Sequence, residues 1–381
     1  MKRNTLRTTA LSLLLALGFG QVVKAQSSID IVTTAVPFLR ISPDARAGGM
    51  GDVGIATLPD ANAVFWNRAK LPFAQTQGGV AATFTPWLKD IAQDVYLATV
   101  GGYYQLDAES AISGGLRYFS LGNIQFTNYN GENISTGHPR EFGLDFGYSR
   151  KLSEKLAVGV ALRYINSSLA NGYTDPGTGV AYKAGNAISA DLSLYGNNLD
   201  ENGQGLTYGL TLSNLGSKIG YTNDAQAKDF IPANLGLGVA YTFAFEELHK
   251  FTLGLDVNHL LVPAFPGYTG DATADSIAVA EYRSKSVLNS WTSSFDNKAN
   301  TASLGAEYTY NDQFSLRAGY FIQPKSQGGQ SFFTAGVGLK YNVFGFNFSY
   351  LAPSGSGVTR NALSNTIRFG IVFNIGESTQ E

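Results

Sequence analysis

The strongest constraint in this sequence is an alternation of apolar side chains with small or polar ones that runs from residue 78 to residue 375. Between residues 156 and 164, every even position holds leucine, valine or tyrosine, and every odd position holds alanine, glycine or arginine. The stretches 251–258 and 344–350 repeat this pattern. Because successive side chains of a β-strand point to opposite faces, the period of two predicts strands with one apolar face.

About fourteen stretches alternate in this way, and the connections between them differ in length. The predicted strands cover residues 78–85, 94–105, 111–120, 140–150, 156–166, 186–196, 205–214, 233–244, 250–260, 301–310, 313–322, 331–341, 343–351 and 365–375. The long connections occupy residues 121–139, 167–185, 215–232, 261–300 and 352–364. An even number of strands, with short turns at one end and long loops at the other, is typical of a bacterial outer-membrane barrel whose long loops are extracellular.

The composition distinguishes a membrane barrel from the main alternative, a soluble β-sandwich. Only 15% of the residues are charged, whereas a soluble domain carries about 25%. The polar face of the strands holds mostly glycine, serine, asparagine and alanine, and tyrosine and phenylalanine collect near the strand ends. A mean hydropathy of -0.04 is too polar for a bundle of membrane helices. We therefore predict an all-β fold, a transmembrane antiparallel β-barrel of about fourteen strands, with the soluble sandwich as the alternative.

The first 25 residues have the features of a secretory signal peptide. Lys2, Arg3 and Arg7 precede an apolar stretch at 10–19, and a cleavage site of small residues ends at Ala25. The apolar stretch is much shorter than the roughly 20 residues that a membrane-spanning helix needs. The predicted organisation is a signal peptide over 1–25, a hatch segment over 26–77, a barrel over 78–375 and a periplasmic tail over 376–381, with the mature protein in the bacterial outer membrane.

Residues 26–77 show no alternation and contain apolar side chains among several prolines and glycines. A segment of this kind before a barrel forms either a plug inside the lumen or a free periplasmic arm, and its apolar content favours the plug. We expect this hatch to pack in the periplasmic half of the lumen. There Phe65 and Trp66 are expected to be buried, with the Asn67 side chain bonded to backbone groups of the hatch.

Motifs for catalysis or cofactor binding are weak in this sequence. Residues 49–54, Gly-Met-Gly-Asp-Val-Gly, match the GxGxxG spacing of dinucleotide sites, but no βαβ unit surrounds them. We expect these glycines to let a hatch loop turn tightly against the barrel wall. His138 is predicted in a surface loop, His249 at a turn and His259 near a strand end, so a shared metal site is not expected. The chain has neither cysteine nor a GxSxG elbow. We predict no metal, no cofactor and no enzyme activity, with an outer-membrane hydrolase using a dispersed Ser–His pair as a minor alternative.

Several charged residues fall on the inward face of their predicted strands, as judged from the alternation within each strand. The positions assigned to the inward face are Arg117, Arg163, Arg317, Arg368, Asp145, Asp191 and Asp256. A charge that faces lipid costs about 2–4 kcal/mol at the bilayer midplane, so inward charges are expected in any membrane barrel. They either pair with one another and with the hatch to fill the lumen or line a polar conduit. The net charge of -2 indicates no nucleic-acid partner.

The longest loop, 261–300, is the main candidate for partner contact. Ile277, Leu288 and Trp291 recur at helical spacing and predict a short amphipathic helix. Phe265 lies in an apolar stretch with two prolines at the entry to the loop. Apolar and aromatic anchors of this type dominate protein interfaces. In the alternatives, the loop is a mobile surface element, or it folds over the barrel mouth and packs its own side chains.

Residues 37–71, PFLRISPDARAGGMGDVGIATLPDANAVFWNRAKL, and residues 84–91, FTPWLKDI, resemble the PorV family, outer-membrane components of the Bacteroidetes type IX protein secretion system. That family in turn resembles the FadL-type fold, a barrel of fourteen strands with an N-terminal hatch. The Asn-Pro-Ala hatch signature of those relatives is matched here by Asn67, Arg68 and Ala69. Arg68 departs from the proline, which puts the local turn geometry in question.

The resemblance implies a role in secretion without catalysis. Relatives bind the C-terminal signal domain of secreted cargo, collect it from the translocon barrel called SprA or Sov, and deliver it to an attachment complex of PorU, PorQ and PorZ. Outer-membrane lipid, including lipopolysaccharide, would surround the barrel. The alternative function is a FadL-like transporter of hydrophobic small molecules, which shares the fold and the hatch. Fold alone does not separate the two functions.

Overall fold

The computed structural model describes residues 32–376, apart from 89–91, 93, 128–129, 176, 225–226, 247, 353–362 and 364. The predicted signal peptide, and the predicted tail beyond Gly376, lie outside the described residues.

Eighteen strands and four α-helices make up the regular structure of these residues. The strands are β1 Gly78–Pro86, β2 Val95–Gln105, β3 Ser110–Leu121, β4 Ile124–Thr127, β5 Asn133–Gly137, β6 Arg140–Ser153, β7 Leu156–Ser168, β8 Gly185–Leu199, β9 Gly205–Gly216, β10 Ile219–Gly220, β11 Lys228–Asp229, β12 Asn234–Phe245, β13 His249–Leu260, β14 Asn300–Tyr310, β15 Phe314–Ile322, β16 Phe332–Tyr341, β17 Phe344–Ala352 and β18 Ile367–Ile375. The α-helices are α1 Ala45–Gly49, α2 Ala63–Trp66, α3 Ala272–Ser284 and α4 Val287–Ser293, and 3-10 turns cover Pro37–Arg40, Arg68–Phe73, Ser294–Asp296 and Lys325–Gln327. Within the described ranges, no helix has the length and apolar character needed to span a membrane.

Fourteen of the strands form one closed antiparallel barrel, as predicted. Each of them pairs with two neighbours, and β1 closes the barrel on β18, with Gly78 opposite Ile375 and Phe84 opposite Phe369. Each predicted strand overlaps one barrel strand, and the ends differ by at most three residues. Closure leaves no sheet edge with unpaired backbone groups, which is the condition for a sheet to cross a bilayer.

The two faces of the barrel differ as the alternation predicts. On β7 the outward side chains Val160, Leu162 and Tyr164 are 50%, 66% and 42% exposed, while the inward Arg163 and Ile165 are buried. The remaining barrel strands repeat this arrangement with leucine, phenylalanine and valine outside. An apolar outer surface of this extent is stable only against lipid, because large exposed apolar patches in water promote association.

The loops divide the barrel into a long-loop end and a short-turn end. Six short connections join the strands at one end, and seven longer ones join them at the other. Two long loops form small hairpins, β4–β5 and β10–β11, which the sequence pattern did not predict. Their strands are two to five residues long, too short to show the alternation of a barrel strand.

The described part of the predicted hatch, residues 32–77, fills the lumen over the whole height of the barrel. Near the long-loop end, the Phe38 ring stacks on Phe119 with 6.3 Å between centroids. Near the short-turn end, the Gln105 side-chain amide donates to the carbonyl oxygens of Leu71 and Ala74 at 3.1 Å. The hatch therefore extends beyond the periplasmic half of the lumen, in which it was expected to pack. Its apolar side chains pack against the wall at both ends of the lumen.

The central part of the hatch lies on a stripe of glycines in the wall. Gly254 pairs with Gly305, and Gly305 pairs with Gly319, across β13, β14 and β15. A Cβ atom on Gly319 would come within 2.1 Å of the Gly51 backbone nitrogen, and one on Gly305 within 2.5 Å of the Met50 carbonyl oxygen. Gly51 itself has a φ of 69°, which favours glycine. The glycines of the wall therefore leave space for the backbone of the hatch, as expected for the turn at residues 49–51.

Replacing Gly319 by valine should displace this turn, because the new side chain would overlap backbone atoms of Gly51. We expect Gly319→Val to raise single-channel conductance in planar bilayers above that of the unmodified protein. The matched control is Gly114→Val, since the nearest atom to a Cβ at Gly114 is 3.5 Å away. Heat-modifiable migration on gels verifies that both variants fold, and equal conductance of the two variants would contradict the prediction.

Candidate functional site

Buried ion pairs connect the hatch to the wall at two places, and the first joins α1 to β14 and β15. The Arg46 guanidinium donates to both carboxylate oxygens of Glu307, at 3.0 and 2.8 Å. Arg317 donates to the same carboxylate at 2.6 Å, and Arg46 also pairs with Asp60 at 3.0 Å. Two guanidiniums on one nearly inaccessible carboxylate form a geometrically specific link between hatch and wall. Of these residues, only Arg317 was singled out from the sequence.

The second ion-pair cluster joins the hatch to β6, β7 and β8. Arg68 contacts Asp145 and lies 3.2 Å from Asp191. Arg163 pairs with the same two acids, at 3.3 Å to Asp145 and 2.7 Å to Asp191. The Asn67 side chain starts the 3-10 turn by accepting from the Ala69 amide at 3.0 Å. Arg68 occupies the position at which the resemblance to FadL-type barrels implies a proline. Its positive charge is neutralised by Asp145 and Asp191 of the wall.

The glycine-rich turn of the hatch is held by wall side chains. One carboxylate oxygen of Asp256 accepts from the Gly54 and Ile55 amides at 2.7 and 2.9 Å. The Thr334 hydroxyl accepts from the Gly51 amide at 2.8 Å and donates to the Gly49 carbonyl at 3.0 Å. The GxGxxG spacing therefore forms a structural turn in the hatch.

Lys70 lies beneath the same turn and is almost fully buried. Its ammonium donates to the Gly54 carbonyl at 2.7 Å and to the Thr57 hydroxyl at 3.2 Å. Burial lowers the pKa of Lys70 to about 8, and the attraction of Asp60 opposes this shift. The sequence analysis did not single out this lysine, since nothing in the spacing distinguishes it from a surface residue.

The structure brings the predicted hatch residues Phe65, Trp66, Asn67 and Ala69 together at the centre of the lumen. The Asn67 amide donates to the carbonyl oxygens of Ile55 and Leu194 at 3.1 and 3.0 Å. The Trp66 indole donates to Asp44 at 2.6 Å. Phe65 and Trp66 are only partly buried, contrary to expectation, because both line a cavity. Ala69 is inaccessible.

Two cavities lie on opposite sides of the central hatch turn. The outer vestibule, on the long-loop side, has a volume of about 160 Å³ and includes Ser303 of β14 in its lining. The inner vestibule, on the short-turn side, has a volume of about 260 Å³ and includes Glu307 of the same strand. Gly305 lies between these two residues against Met50 of the hatch. Charged, amide and hydroxyl side chains contribute to the lining of both vestibules.

At the long-loop end, the loop 261–300 folds against the barrel mouth. Tyr282 of α3 is buried, and its ring lies 5.5 Å from that of Phe230 and 5.1 Å from that of Phe265. The Lys218 ammonium donates to the carbonyl oxygens of Arg283 and Lys285 at 2.8 and 2.6 Å. These contacts hold the C-terminal end of α3 on the barrel, so part of the loop packs its own side chains.

The other predicted contact residues differ in exposure. Ile277 and Leu288 are 57% and 67% exposed, whereas Trp291 and Phe265 are partly buried. Two residues that were not singled out, Tyr268 and Phe295, are 78% and 65% exposed. Phe295 continues the helical spacing, four residues after Trp291, whereas Tyr268 precedes the periodic segment and had only its aromatic character as a signal.

The predicted single helix is two helices in the structure. The Ser286 hydroxyl accepts from the Asn289 amide at 3.2 Å and begins α4 as a new helix. An N-cap residue has an extended backbone, so the chain changes direction there. Ile277 of α3 and Leu288 of α4 therefore do not share one helix face.

The histidines lie apart, each with a different partner. His138 bonds to Asn123, His249 to Tyr308 and His259 to Asn300. Among the residues that the structure describes, no group of three or more histidine, cysteine or acidic side chains is arranged to hold a metal ion.

Sequence comparison identifies the family of this barrel. The model of a family described as Type IX secretion system protein PorV matches residues 24–267. The chain belongs to the PorV family. The predicted resemblance is thereby confirmed, and PorV membership makes the protein an outer-membrane component of type IX secretion. No curated protein matches the sequence.

Solved structures with the same fold include hydrocarbon transporters. The toluene transporter TodX of P. putida is 13% identical, with a TM-score of 0.56 over 88% of this chain and 100% of its own. The toluene transporter TbuX of Ralstonia pickettii is 12% identical, with a TM-score of 0.54 over 88% and 99%. The CymD monoaromatic hydrocarbon channel is 14% identical, with a TM-score of 0.53 over 88% and 98%. At these identities the likeness shows the fold of this PorV-family barrel alone.

Removing the carboxylate of Glu307 should destabilise the protein strongly, because Arg46 and Arg317 would stay buried without their shared acid. We expect Glu307→Gln to lower the free energy of unfolding by about 3–5 kcal/mol in urea titrations of the protein in lipid vesicles. The matched control is Glu109→Gln, which breaks the exposed pair with Arg150 and should cause no measurable loss. Equal unfolding midpoints for the two variants would show that the buried cluster does not hold the hatch.

Proposed function

We propose that this protein is a cargo carrier of type IX secretion. In this role it binds the C-terminal signal domain of secreted cargo, associates with the SprA or Sov translocon barrel, and delivers cargo to the PorU, PorQ and PorZ attachment complex. The binding surface is the long-loop end. No chemical step is required of the protein, since carrying depends on binding and release.

One observation carries this proposal, namely the exposure of large apolar side chains on a folded loop at the long-loop end. Tyr268, Ile277, Leu288 and Phe295 are all more than half exposed. These residues lie above the barrel, beyond the strands that face lipid, so membrane lipid does not account for them. Exposed apolar residues on an ordered element are typical of protein contact surfaces.

The filled lumen supports a surface function as well. The hatch is bound to the wall by two buried ion-pair clusters and by the hydrogen bonds of Asp256 and Thr334. Opening a passage would break several of these contacts at once, each of which is costly when one partner stays buried. A carrier that binds through its loops needs no such opening.

The second candidate is transport of hydrophobic small molecules, and the likeness to toluene transporters favours it. A transporter of this type needs an apolar pocket beside the hatch. In this protein both vestibules have ionic and hydroxyl groups in their linings, including Arg163, Asp191 and Ser303 in the outer one and Glu307 and Ser315 in the inner one. Placing a hydrocarbon beside such groups would displace water from them without replacing its hydrogen bonds.

The double variant Ile277→Asp, Leu288→Asp should lose partner binding, because two exposed apolar contacts become charged. We expect the amount of translocon and cargo that co-purifies from the native envelope to fall at least tenfold, with secretion reduced in parallel. Both residues are exposed, so the barrel should fold as before.

The matched control is the double variant Leu106→Asp, Leu248→Asp, which makes the same change in two exposed turns of the short-turn end. This control should co-purify and secrete normally. Normal secretion by the Ile277 and Leu288 variant would refute the role of this surface. Hydrocarbon uptake that is lost when the protein is deleted, with secretion intact in the same strain, would favour the transporter.

A further inference from the structure

The outer vestibule contains an arginine with no partner. Arg40 ends the 3-10 turn Pro37–Arg40, lines the cavity and is exposed to it. Among the described residues, Arg40 has neither a hydrogen bond nor an ion pair from its side chain. The guanidinium is charged at any physiological pH, because arginine loses its proton only far above neutrality. An arginine at such a position offers its planar set of donors to a ligand.

A second arginine in the same lining is only partly satisfied. Arg117 is 5% exposed and donates to the carbonyl oxygens of Leu39 and Phe65 at 2.7 and 3.1 Å. Its guanidinium also lies 5.0 Å from the centre of the Phe65 ring, and no carboxylate within the described residues forms an ion pair with it. Arg117 therefore adds a positive charge to the wall of the cavity that no acid of its own neutralises.

Two of the other charged groups in the lining are arginines with acids of their own, since Arg68 and Arg163 are neutralised by Asp145 and Asp191. Asp52 also lies in the lining and forms no ion pair with either Arg40 or Arg117. Two further carboxylates, Asp44 and Glu141, lie outside the vestibule lining. Asp44 accepts from Trp66 and Ala47, and Glu141 accepts from Ser167. Arg40 and Arg117 are therefore the two positive charges of the vestibule without an acid of their own.

The rest of the lining suits an organic acid or a peptide end. The amides of Asn234 and Asn258 and the hydroxyls of Thr301 and Ser303 line the cavity. Asn234 is the first residue of β12 and Thr301 is the second residue of β14, so the cavity reaches the long-loop end of the barrel. A carboxylate accepts hydrogen bonds from a guanidinium in a paired geometry, and amides and hydroxyls can bond to the atoms next to it.

We propose that the outer vestibule is a binding site for a carboxylate, carried either by the C-terminal end of a peptide or by a small organic acid, with Arg40 as the contact and the charge of Arg117 adding to the attraction. The site is separate from the loop surface of Ile277 and Leu288 and does not depend on the secretion role. Loss of binding at one of these two sites therefore does not decide whether the other site binds its own partner.

Calorimetric titration of the full protein in a non-ionic detergent tests the site. The probes are acetyl-triglycine with a free carboxylate, the same peptide with a C-terminal amide, and sodium acetate, in a buffer without carboxylates. We expect the free acid to bind and the amide to bind at least tenfold more weakly. If acetate binds as tightly as the acid peptide, the site serves small organic acids; weaker acetate binding assigns it to peptide ends.

The decisive variant is Arg40→Gln, which removes the charge from a side chain without partners and should therefore fold normally. We expect a loss of affinity for the acid peptide of at least tenfold, and an intermediate loss in Arg40→Lys, which keeps the charge but not the planar donors. The matched control Arg140→Gln changes an exposed arginine outside the vestibule and should bind as the unmodified protein does. The proposal is overturned if the acid fails to bind, if acid and amide bind equally, or if Arg40→Gln retains full affinity.

Discussion

The closure of fourteen strands into one barrel encloses a wide lumen, and the rest of the structure depends on how that lumen is filled. A barrel of about eight strands is filled by its own inward side chains, but a wider one encloses space that must hold water, ligand or another segment of chain. Here the hatch occupies the lumen from Phe38 near one end to Ala74 near the other. Glycines on the wall let its backbone approach closely, and side chains are left to fix its position.

Charge pairing fixes that position in a way that apolar packing alone does not. Inward charges on the wall need partners in an interior with little water, and the hatch supplies Arg46 to Glu307 and Arg68 to Asp145 and Asp191. Such pairs add little net stability compared with apolar contacts, but a shifted hatch would leave each charge buried and unpaired. The clusters therefore select one position of the hatch in the barrel, and Asn67 and Ala69 lie next to Arg68 of the second cluster.

The loop 261–300, which we propose as the partner-binding surface, is physically connected to the hatch. The Ala35 amide donates to the Phe230 carbonyl at 2.9 Å, and Val32 packs in one cluster with Phe230 and Tyr282. Tyr282 belongs to α3, the helix that carries the exposed Ile277. The loop that we propose to bind cargo thus sits on the first residues of the hatch, which gives it a rigid base. A contact surface built on such a base loses little conformational entropy when a partner binds.

The alternating pattern by itself determined the barrel, its strand number and its strand positions, because a lipid-facing strand must be apolar at every second residue along its length. The same alternation predicted that Arg163, Asp191 and Asp256 face the lumen, and the motif at 37–71 indicated the family. Only the tertiary structure decided which charges meet, that Lys70 and Glu307 are buried, that the hatch spans the full lumen, and that Arg40 is left without a partner. Those outcomes depend on contacts between residues up to hundreds of positions apart, such as Arg46 with Glu307, and no local period or spacing encodes them.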